Sequence, residues 1–179
     1  MSGASGAKGT VAVYGGTFDP VTLGHLDLVG RGARLFARLF VCVSAEGRAT
    51  WFPAEERAAL VREAVRDLPN VSVALFRGLL VEEARRQGAT VLLRGVRGAK
   101  DLDAELPMAF ANRALAPALE TVFLAPSPAL ALVSSSLVRE VAQLAGDVSA
   151  WVPPGVASAV ARRRAASSPP TVDPSTPRS

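Results

Sequence analysis

The feature that most constrains this 179-residue chain is a repeated alternation between short β-branched or apolar runs and longer stretches with helical spacing. Five such runs occur, at residues 11–14, 39–44, 71–76, 90–93 and 121–124. Strands that alternate with helices predict one parallel sheet with helices on both faces, because parallel strands need right-handed crossover connections. We therefore predict a single-domain α/β fold with a doubly wound, five-stranded parallel sheet.

Local signals indicate where several helices begin or end. Pro53, followed by two glutamates, is typical of a first helical turn, where proline is tolerated and acidic side chains complement the helix dipole. Thr22 can cap a helix that begins near it. A serine run that begins at Ser134 predicts the start of another helix, and Gly146 marks its expected end.

Both ends of the chain have compositions that cannot bury apolar surface. Residues 1–9 are small, polar and glycine-rich, and residues 165–179 are rich in proline, serine and threonine. We predict that both are disordered and that residues 10–164 form the domain. The arginine run at 162–164 could be a solvated helix end or a nucleic-acid patch; the helix end is favoured, so no nucleic acid partner is expected.

Composition excludes several classes of protein. No apolar run approaches the roughly 18 residues of a membrane-spanning helix, so we expect no membrane association. Cys42 is the only cysteine, which rules out an intramolecular disulfide and predicts a cytoplasmic protein. His25 is the only histidine, so metal sites built from several imidazoles are excluded as well.

The segments that follow the predicted strands hold most of the residues suited to chemistry. Doubly wound sheets bind ligands at the carboxyl ends of their strands, near the point where the strand order reverses. Gly15 and Gly16 follow the first strand, and the next helix places His25 in its first turn, beside Gly24 and exposed N–H groups. The two glycines alone also fit an ordinary tight turn, but together with His25 they favour a phosphate site.

Arginines and serines extend this predicted site. Arg94 and Arg97 follow the fourth strand, and their forked guanidinium groups suit phosphate oxygens. The alternative is that they form salt bridges with acidic residues downstream, namely Asp101, Asp103 or Glu105. One serine of the run at 134–136 is enough to cap a helix, so the other two are candidates for a phosphate cradle.

Missing motifs narrow the chemistry further. The chain has no GxxxxGK[ST] loop, no GxGxxG after the first strand and no GxSxG nucleophile elbow. The remaining description is a site in which helix N-termini, a histidine and arginines hold phosphates without a covalent nucleophile. Direct phosphoryl or nucleotidyl transfer suits such a site, because it needs mainly positioning and charge stabilisation.

Six segments match the motifs of a known family. They are GGTFDPVTLGH (15–25), FPAEER (52–57), RGLL (77–80), LLRGVRG (92–98), NRALAPALETVFLAPS (112–127) and SSSLVREVA (134–142). Over about residues 11–160 the chain resembles the nucleotidyltransferases with a [T/H]xGH motif, and among them the bacterial phosphopantetheine adenylyltransferases. Related enzymes that make NAD usually carry histidine at the position of Thr22, so the threonine favours the phosphopantetheine group.

The resemblance implies a Rossmann-like nucleotidyltransferase fold and a specific reaction. The phosphate of 4'-phosphopantetheine would attack the α-phosphorus of ATP, giving dephospho-coenzyme A and pyrophosphate in coenzyme A biosynthesis. Mg²⁺ is expected with the triphosphate, and the family implies a homohexamer. Catalysis is assigned to Thr17 and His25. The acceptor would contact Thr17, Leu80, Arg94 and Arg48, the last as the candidate replacement for a lysine that the family has after its second strand.

The resemblance also assigns an ATP site. Its residues would be Thr17, Phe18, His25, Gly95, Val96, Arg97, Glu105, Leu130, Ala131, Leu132, Val133, Ser134, Ser135 and Ser136. Ala104, Pro107 and Leu130 depart from the family pattern, which has an aromatic residue, a glutamine and another aromatic residue there. Two alternatives therefore remain: a catalytically weakened nucleotide-binding relative with a regulatory or structural role, or an adenylyltransferase for another phosphorylated substrate such as a pyridine mononucleotide.

Overall fold

A computed structural model describes residues 9–46 and 49–167 of the chain. The strands in this part of the chain are β1 (Val11–Gly16), β2 (Arg38–Ser44), β3 (Val71–Phe76), β4 (Val91–Gly95) and β5 (Glu120–Leu124). They pair in parallel in the order β3-β2-β1-β4-β5. The predicted five-stranded parallel sheet is confirmed, and every predicted run overlaps one strand.

Helices connect the strands and complete the fold. They are α1 (Leu23–Leu35), α2 (Ala54–Ala64), α3 (Leu80–Arg86), α4 (Ala99–Leu115), α5 (Ser135–Gln143) and α6 (Pro154–Ser167), with a 3-10 turn at Pro128–Leu130. Thr22 caps α1 and Ser134 caps α5, as predicted. Pro53 occupies the cap position of α2. Helix α5 ends at Gln143, three residues before Gly146, and the left-handed residue after it is Ala145 (φ 64°).

The sheet has an apolar core on each face, which follows from the alternation of side chains along a strand. On one face, Ala12, Leu39, Val41 and Leu93 belong to the larger core, which also includes buried residues of α1, α2, α5 and α6. On the other face, residues such as Val13 and Leu92 pack with α3. Helices on both faces explain why the strands are apolar throughout instead of alternating.

Helix α6 extends three residues beyond the predicted domain boundary at residue 164, to Ser167. The reason is that Ala165 and Ala166 have high helix propensity, which the overall composition of the tail conceals. The arginine run at 162–164 lies in the last turns of α6, as expected for a helix end. The predicted disorder of residues 1–8 and 168–179 concerns residues outside the described ranges. None of the helices in the described ranges is long and apolar enough to cross a bilayer.

The strand order places the functional edge of the sheet. Strand β1 has β2 on one side and β4 on the other, so the direction of chain progression reverses between β1 and β4. Their carboxyl ends, at Gly15–Gly16 and Arg94–Gly95, therefore lie side by side. Ligand sites of doubly wound sheets form at this kind of switch point.

Candidate active site

A cavity of about 350 Å³ opens at the switch point between β1 and β4. Its walls come from the ends of these strands, the start of α1, helix α4 and the loop that precedes α5. Eleven of the predicted site residues line it: Phe18, His25, Arg94, Gly95, Arg97, Glu105, Leu130, Val133, Ser134, Ser135 and Ser136. The expected meeting of residues from distant parts of the chain at one edge of the sheet is thus observed.

Other predicted site residues lie elsewhere. Thr17 faces a second cavity of about 410 Å³, which shares Ser135 and Ser136 with the first. Leu80 packs beside Gly15, where an added Cβ would lie 2.5 Å from its Cδ1 atom. The residues that line neither cavity are Leu80, Val96, Ala131 and Leu132. Arg48 lies outside the described residues, so its proposed contact with the acceptor stays a prediction.

His25 is held by a reciprocal capping interaction at the start of α1. The backbone N–H of Thr22 donates to His25 Nδ1 at 3.0 Å, and the backbone N–H of His25 faces Thr22 Oγ1 at 3.4 Å. Because Nδ1 accepts a backbone hydrogen bond, the neutral ring carries its proton on Nε2. The ring of Phe18 packs edge-on against the imidazole, with 5.1 Å between centroids. The structure therefore fixes both the tautomer and the orientation of His25.

The surroundings of His25 keep the imidazole neutral. Burial disfavours the charged form, and the positive charge of Arg97 acts in the same direction; together they lower the pKa of His25 to about 4. At neutral pH the ring is thus an uncharged hydrogen-bond donor. An anionic oxygen beside the ring would meet an oriented N–H donor.

This lowered pKa predicts a pH dependence of stability. Between pH 6.5 and 4 the unfolded chain binds a proton at His25 that the folded chain does not bind, so the folded state loses stability as the pH falls through this range. The slope from one such group approaches at most about 1.4 kcal/mol per pH unit. His25→Gln retains a capping acceptor but does not titrate. In urea unfolding from pH 7 to 4.5, the wild type should lose more stability than this variant; parallel curves would contradict the assignment.

Arg94 and Arg97 each form an ion pair with an acidic residue of α4. Arg94 donates through Nε and Nη2 to the two carboxylate oxygens of Glu105, at 2.6 and 2.5 Å, and through Nη1 to the Gly15 carbonyl at 2.9 Å. Arg97 binds Asp101 in the same two-pronged way, at 2.7 and 3.0 Å. The salt-bridge alternative is therefore observed for both arginines, and their contact with phosphate stays a prediction. The pairs form because α4 begins four residues after β4 and turns its acidic side chains toward the strand end.

Two helix N-termini meet at the cavity. The first N–H groups of a helix lack intrahelical acceptors, so the starts of α1 and α5 favour an anion. Gly24 allows this approach, because a Cβ there would lie 3.3 Å from the Val133 carbonyl oxygen. Besides the cap at Ser134, the Ser135 hydroxyl donates to the Pro20 carbonyl at 2.8 Å, and Ser136 Oγ accepts from Arg139 at 3.3 Å. Ser135 thus joins the α5 N-terminus to the turn after β1, Ser136 contacts a residue of its own helix, and both line the cavity.

Sequence patterns missed several residues that shape the site. Tyr14, Leu28 and Pro126 line the first cavity. Asp27 of α1 fixes the wall that contains Pro126, because its carboxylate accepts from the Ser127 backbone N–H and hydroxyl at 2.9 and 2.8 Å. No local signal indicates this contact, because the two residues are separated by 100 positions in the chain.

Comparisons with known proteins agree with this geometry. A cytidylyltransferase-like family model matches residues 13–141. A phosphopantetheine adenylyltransferase from Methylococcus capsulatus is 50% identical over 157 residues, which cover 87% of this chain and 97% of that protein. Another from Alkalilimnicola ehrlichii is 54% identical over 156 residues, covering 86% and 90% of the two chains.

One solved structure supports the fold. It is a Vibrio parahaemolyticus protein with a provisional assignment as a nicotinate-nucleotide adenylyltransferase, and it superposes with a TM-score of 0.63. The alignment covers 87% of this chain and 96% of that chain, at 16% sequence identity. At this level of identity the likeness extends to the architecture alone.

Proposed function

The chain belongs to the cytidylyltransferase-like family and to its phosphopantetheine adenylyltransferases, and on this basis we propose that it transfers the adenylyl group of ATP to 4'-phosphopantetheine. The products are dephospho-coenzyme A and pyrophosphate. We place the reaction in the cytoplasm, where the buried thiol of Cys42 stays reduced.

The observation that carries this proposal is the meeting of five groups suited to phosphate at one cavity. These are the N-termini of α1 and α5, the neutral imidazole of His25, and the guanidinium groups of Arg94 and Arg97. Each is a donor suited to anionic oxygen. A molecule with several linked phosphates can contact all of them together, whereas a single carboxylate cannot.

The chemistry needs positioning more than proton transfer. A phosphate oxygen of the acceptor attacks the α-phosphorus of ATP, the bond from this phosphorus to the β-phosphate bridging oxygen breaks, and pyrophosphate leaves. The attacking phosphate is already an anion, so no side chain has to remove a proton from it. His25 Nε2–H and Arg97 stabilise the charge that develops on the ATP phosphates, and Arg94 and Thr17 orient the acceptor phosphate.

The test is an assay with three acceptor conditions. Purified protein is incubated with ATP and Mg²⁺ together with 4'-phosphopantetheine, with nicotinate mononucleotide, or with no acceptor, and pyrophosphate and nucleotide products are measured. We expect pyrophosphate and dephospho-coenzyme A in equal amounts with phosphopantetheine. Product formed only when nicotinate mononucleotide is the acceptor would instead identify a pyridine-nucleotide enzyme. Binding of ATP without turnover would identify a catalytically weakened relative.

The side chains around the two cavities suit a magnesium ion that is carried in by the nucleotide and not held by the protein. Each neighbouring carboxylate already has donors: Asp101 binds Arg97, Glu105 binds Arg94, Glu46 accepts from the Gly78 N–H, and Asp19 accepts from two backbone N–H groups. Within the described ranges there is also no cluster of three metal-binding side chains. We therefore propose that Mg²⁺ binds through ATP phosphate oxygens, which suit its preference for oxygen ligands and retained water, and that it neutralises triphosphate charge.

This arrangement predicts that metal removal affects activity but not folding. EDTA should abolish adenylyl transfer, and excess Mg²⁺ should restore it. The melting temperature of the nucleotide-free protein should change by less than about 1 °C with EDTA, because a metal that binds only with ATP adds nothing to the stability of the free chain. A large fall in the melting temperature would contradict this proposal and reveal a metal site in the protein itself.

We also propose that the protein is a homo-oligomer, and the family resemblance suggests a hexamer. Helix α4 supports the proposal, because none of its 17 residues is buried, while Phe110 and Met108 expose 68% and 54% of their surface. Exposed apolar groups of this size on one helix are typical of an interface.

The oligomer proposal predicts a change of mass in one variant. Phe110→Glu should shift the mass measured by light scattering toward smaller species, because a carboxylate buried between copies is costly without a partner. Leu144→Glu changes a leucine after α5 that is even more exposed, and it serves as the control, which should keep the wild-type mass. A wild-type mass equal to one chain would contradict oligomerisation.

A further inference from the structure

Arg57, on α2, is a buried cation that holds three backbone carbonyls. It is only 3% exposed. Its Nε donates to the Phe52 carbonyl at 3.0 Å, and its Nη1 donates to the carbonyls of Ser44 and Thr17 at 3.0 and 2.5 Å. The three acceptors belong to the end of β2, the segment that leads into α2, and the turn that follows β1. One side chain therefore joins the functional ends of two neighbouring strands.

A buried carboxylate reinforces the same connection from the opposite side. Asp19 is 4% exposed and accepts from the backbone N–H groups of Trp51 and Phe52 at 2.8 and 3.0 Å. Arg139 of α5 also donates to the Asp19 carbonyl oxygen. The turn after β1 is thus tied to the segment before α2 by Asp19 and Arg57, whose charges are opposite.

Thr17 lies inside this arrangement, yet its side chain remains accessible. Its carbonyl is held by Arg57, while the residue is exposed and lines the second cavity together with Ser135 and Ser136. Fixing the backbone of a residue limits the positions its hydroxyl can take. The contact therefore restrains the Thr17 backbone without engaging the hydroxyl.

The contact requires the shape of a guanidinium group. The carbonyls approach two different nitrogens of a rigid, planar fork, whereas a lysine ammonium is a single point of charge on a flexible chain. Lysine at position 57 would keep the buried charge but could not reach the same acceptors with the same geometry. Substitution by lysine therefore separates the geometry of the contact from its charge.

We propose that Arg57 is a positioning residue for adenylyl transfer, which acts by holding the Thr17 carbonyl so that the hydroxyl faces the reacting phosphates. The inference rests on the proposed function, in which Thr17 orients the acceptor phosphate. Arg57 itself touches no reacting atom in this proposal. Its effect on the reaction passes through Thr17, and this dependence is what distinguishes positioning from a general contribution to stability.

A double-mutant cycle tests the dependence. Arg57→Lys, Thr17→Val and the double variant are compared with the wild type for kcat and for KM of both substrates. Val61→Ala, on the same helix and fully buried, is the matched control for lost stability. Hydrogen exchange of the peptide covering residues 15–21 is measured for every protein, because this readout needs no substrate.

We expect Arg57→Lys to lower kcat by about 10- to 100-fold and to change KM for ATP by less than about twofold. In the Thr17→Val background, Arg57→Lys should lower kcat by less than about twofold, since the hydroxyl that the lysine misplaces is already absent. Exchange of residues 15–21 should accelerate in Arg57→Lys. At assay temperatures well below its melting temperature, Val61→Ala should keep the wild-type kcat.

Two outcomes would overturn the proposal. One is that the effects of Arg57→Lys and Thr17→Val on kcat multiply fully in the double variant. The other is that Val61→Ala loses as much kcat as Arg57→Lys at the same loss of melting temperature. A wild-type protein without activity would overturn the proposed function instead. In that event hydrogen exchange decides whether Arg57 fixes the turn. Unchanged exchange in Arg57→Lys would then refute the positioning role on structural grounds.

Discussion

Replacing His25 with alanine is expected to lower kcat by about 10²- to 10³-fold while KM for ATP changes by less than about threefold. The reason is the fixed tautomer. Thr22 holds Nδ1 as an acceptor at 3.0 Å, so Nε2–H is a donor already oriented before substrate binds. A donor of this kind stabilises charge that grows in the transition state more than charge already present in bound ATP.

Melting curves and a second variant serve as controls for His25→Ala. Loss of the capping contact should cost about 1 kcal/mol, which lowers the melting temperature by only a few degrees. His25→Gln should keep more stability than the alanine variant, because glutamine at this position can accept from the Thr22 N–H. If His25→Ala raised only KM, or lost activity in proportion to unfolding, the proposed role of the imidazole would be wrong.

Arg94→Ala is expected to lower kcat/KM for 4'-phosphopantetheine by about 100-fold. Charge-assisted hydrogen bonds to a phosphate contribute about 1.5–3 kcal/mol, which accounts for most of this loss. The variant also leaves the Glu105 carboxylate without its partner at the edge of the cavity, where it repels an incoming phosphate. Both effects act in the same direction, so the expected loss is larger than for a solvated arginine.

The two contributions to the Arg94 effect can be separated. In a double variant, Arg94→Ala with Glu105→Ala, the repulsion is absent, so kcat/KM for the acceptor should recover by several-fold relative to Arg94→Ala alone. Steady-state kinetics with varied phosphopantetheine at saturating ATP measure both variants. An unchanged acceptor constant in Arg94→Ala would show that Arg94 serves only as the partner of Glu105.

The fold and the place of the site followed from local patterns in the sequence. The apolar runs predicted the strands because both faces of a doubly wound sheet are buried, and the carboxyl ends of the strands then indicated the functional edge. His25 was identified because Thr22 and Gly24 mark the first turn of a helix. Signals of this kind extend over a few residues, which is the range in which a sequence alone is informative.

The details that the sequence did not reveal depend on contacts between distant residues or on competition between partners. Asp19 meets Trp51 across 32 positions, and Arg57 meets Thr17 across 40, so no spacing rule could reveal either contact. For Arg94, both a phosphate and a carboxylate suited the guanidinium group, and only the path of α4 decides that Glu105 occupies it. The pattern therefore predicted the residue types of the site better than their partners.

In the proposed reaction the adenylyl group passes directly from ATP to phosphopantetheine, without an adenylylated protein. Exchange of radiolabelled pyrophosphate into ATP tests this claim in one measurement, made with and without phosphopantetheine. Direct transfer predicts rapid exchange when phosphopantetheine and Mg²⁺ are present and none when phosphopantetheine is omitted. Exchange with ATP alone would reveal a covalent intermediate, and absence of exchange under both conditions would contradict the adenylyl transfer itself.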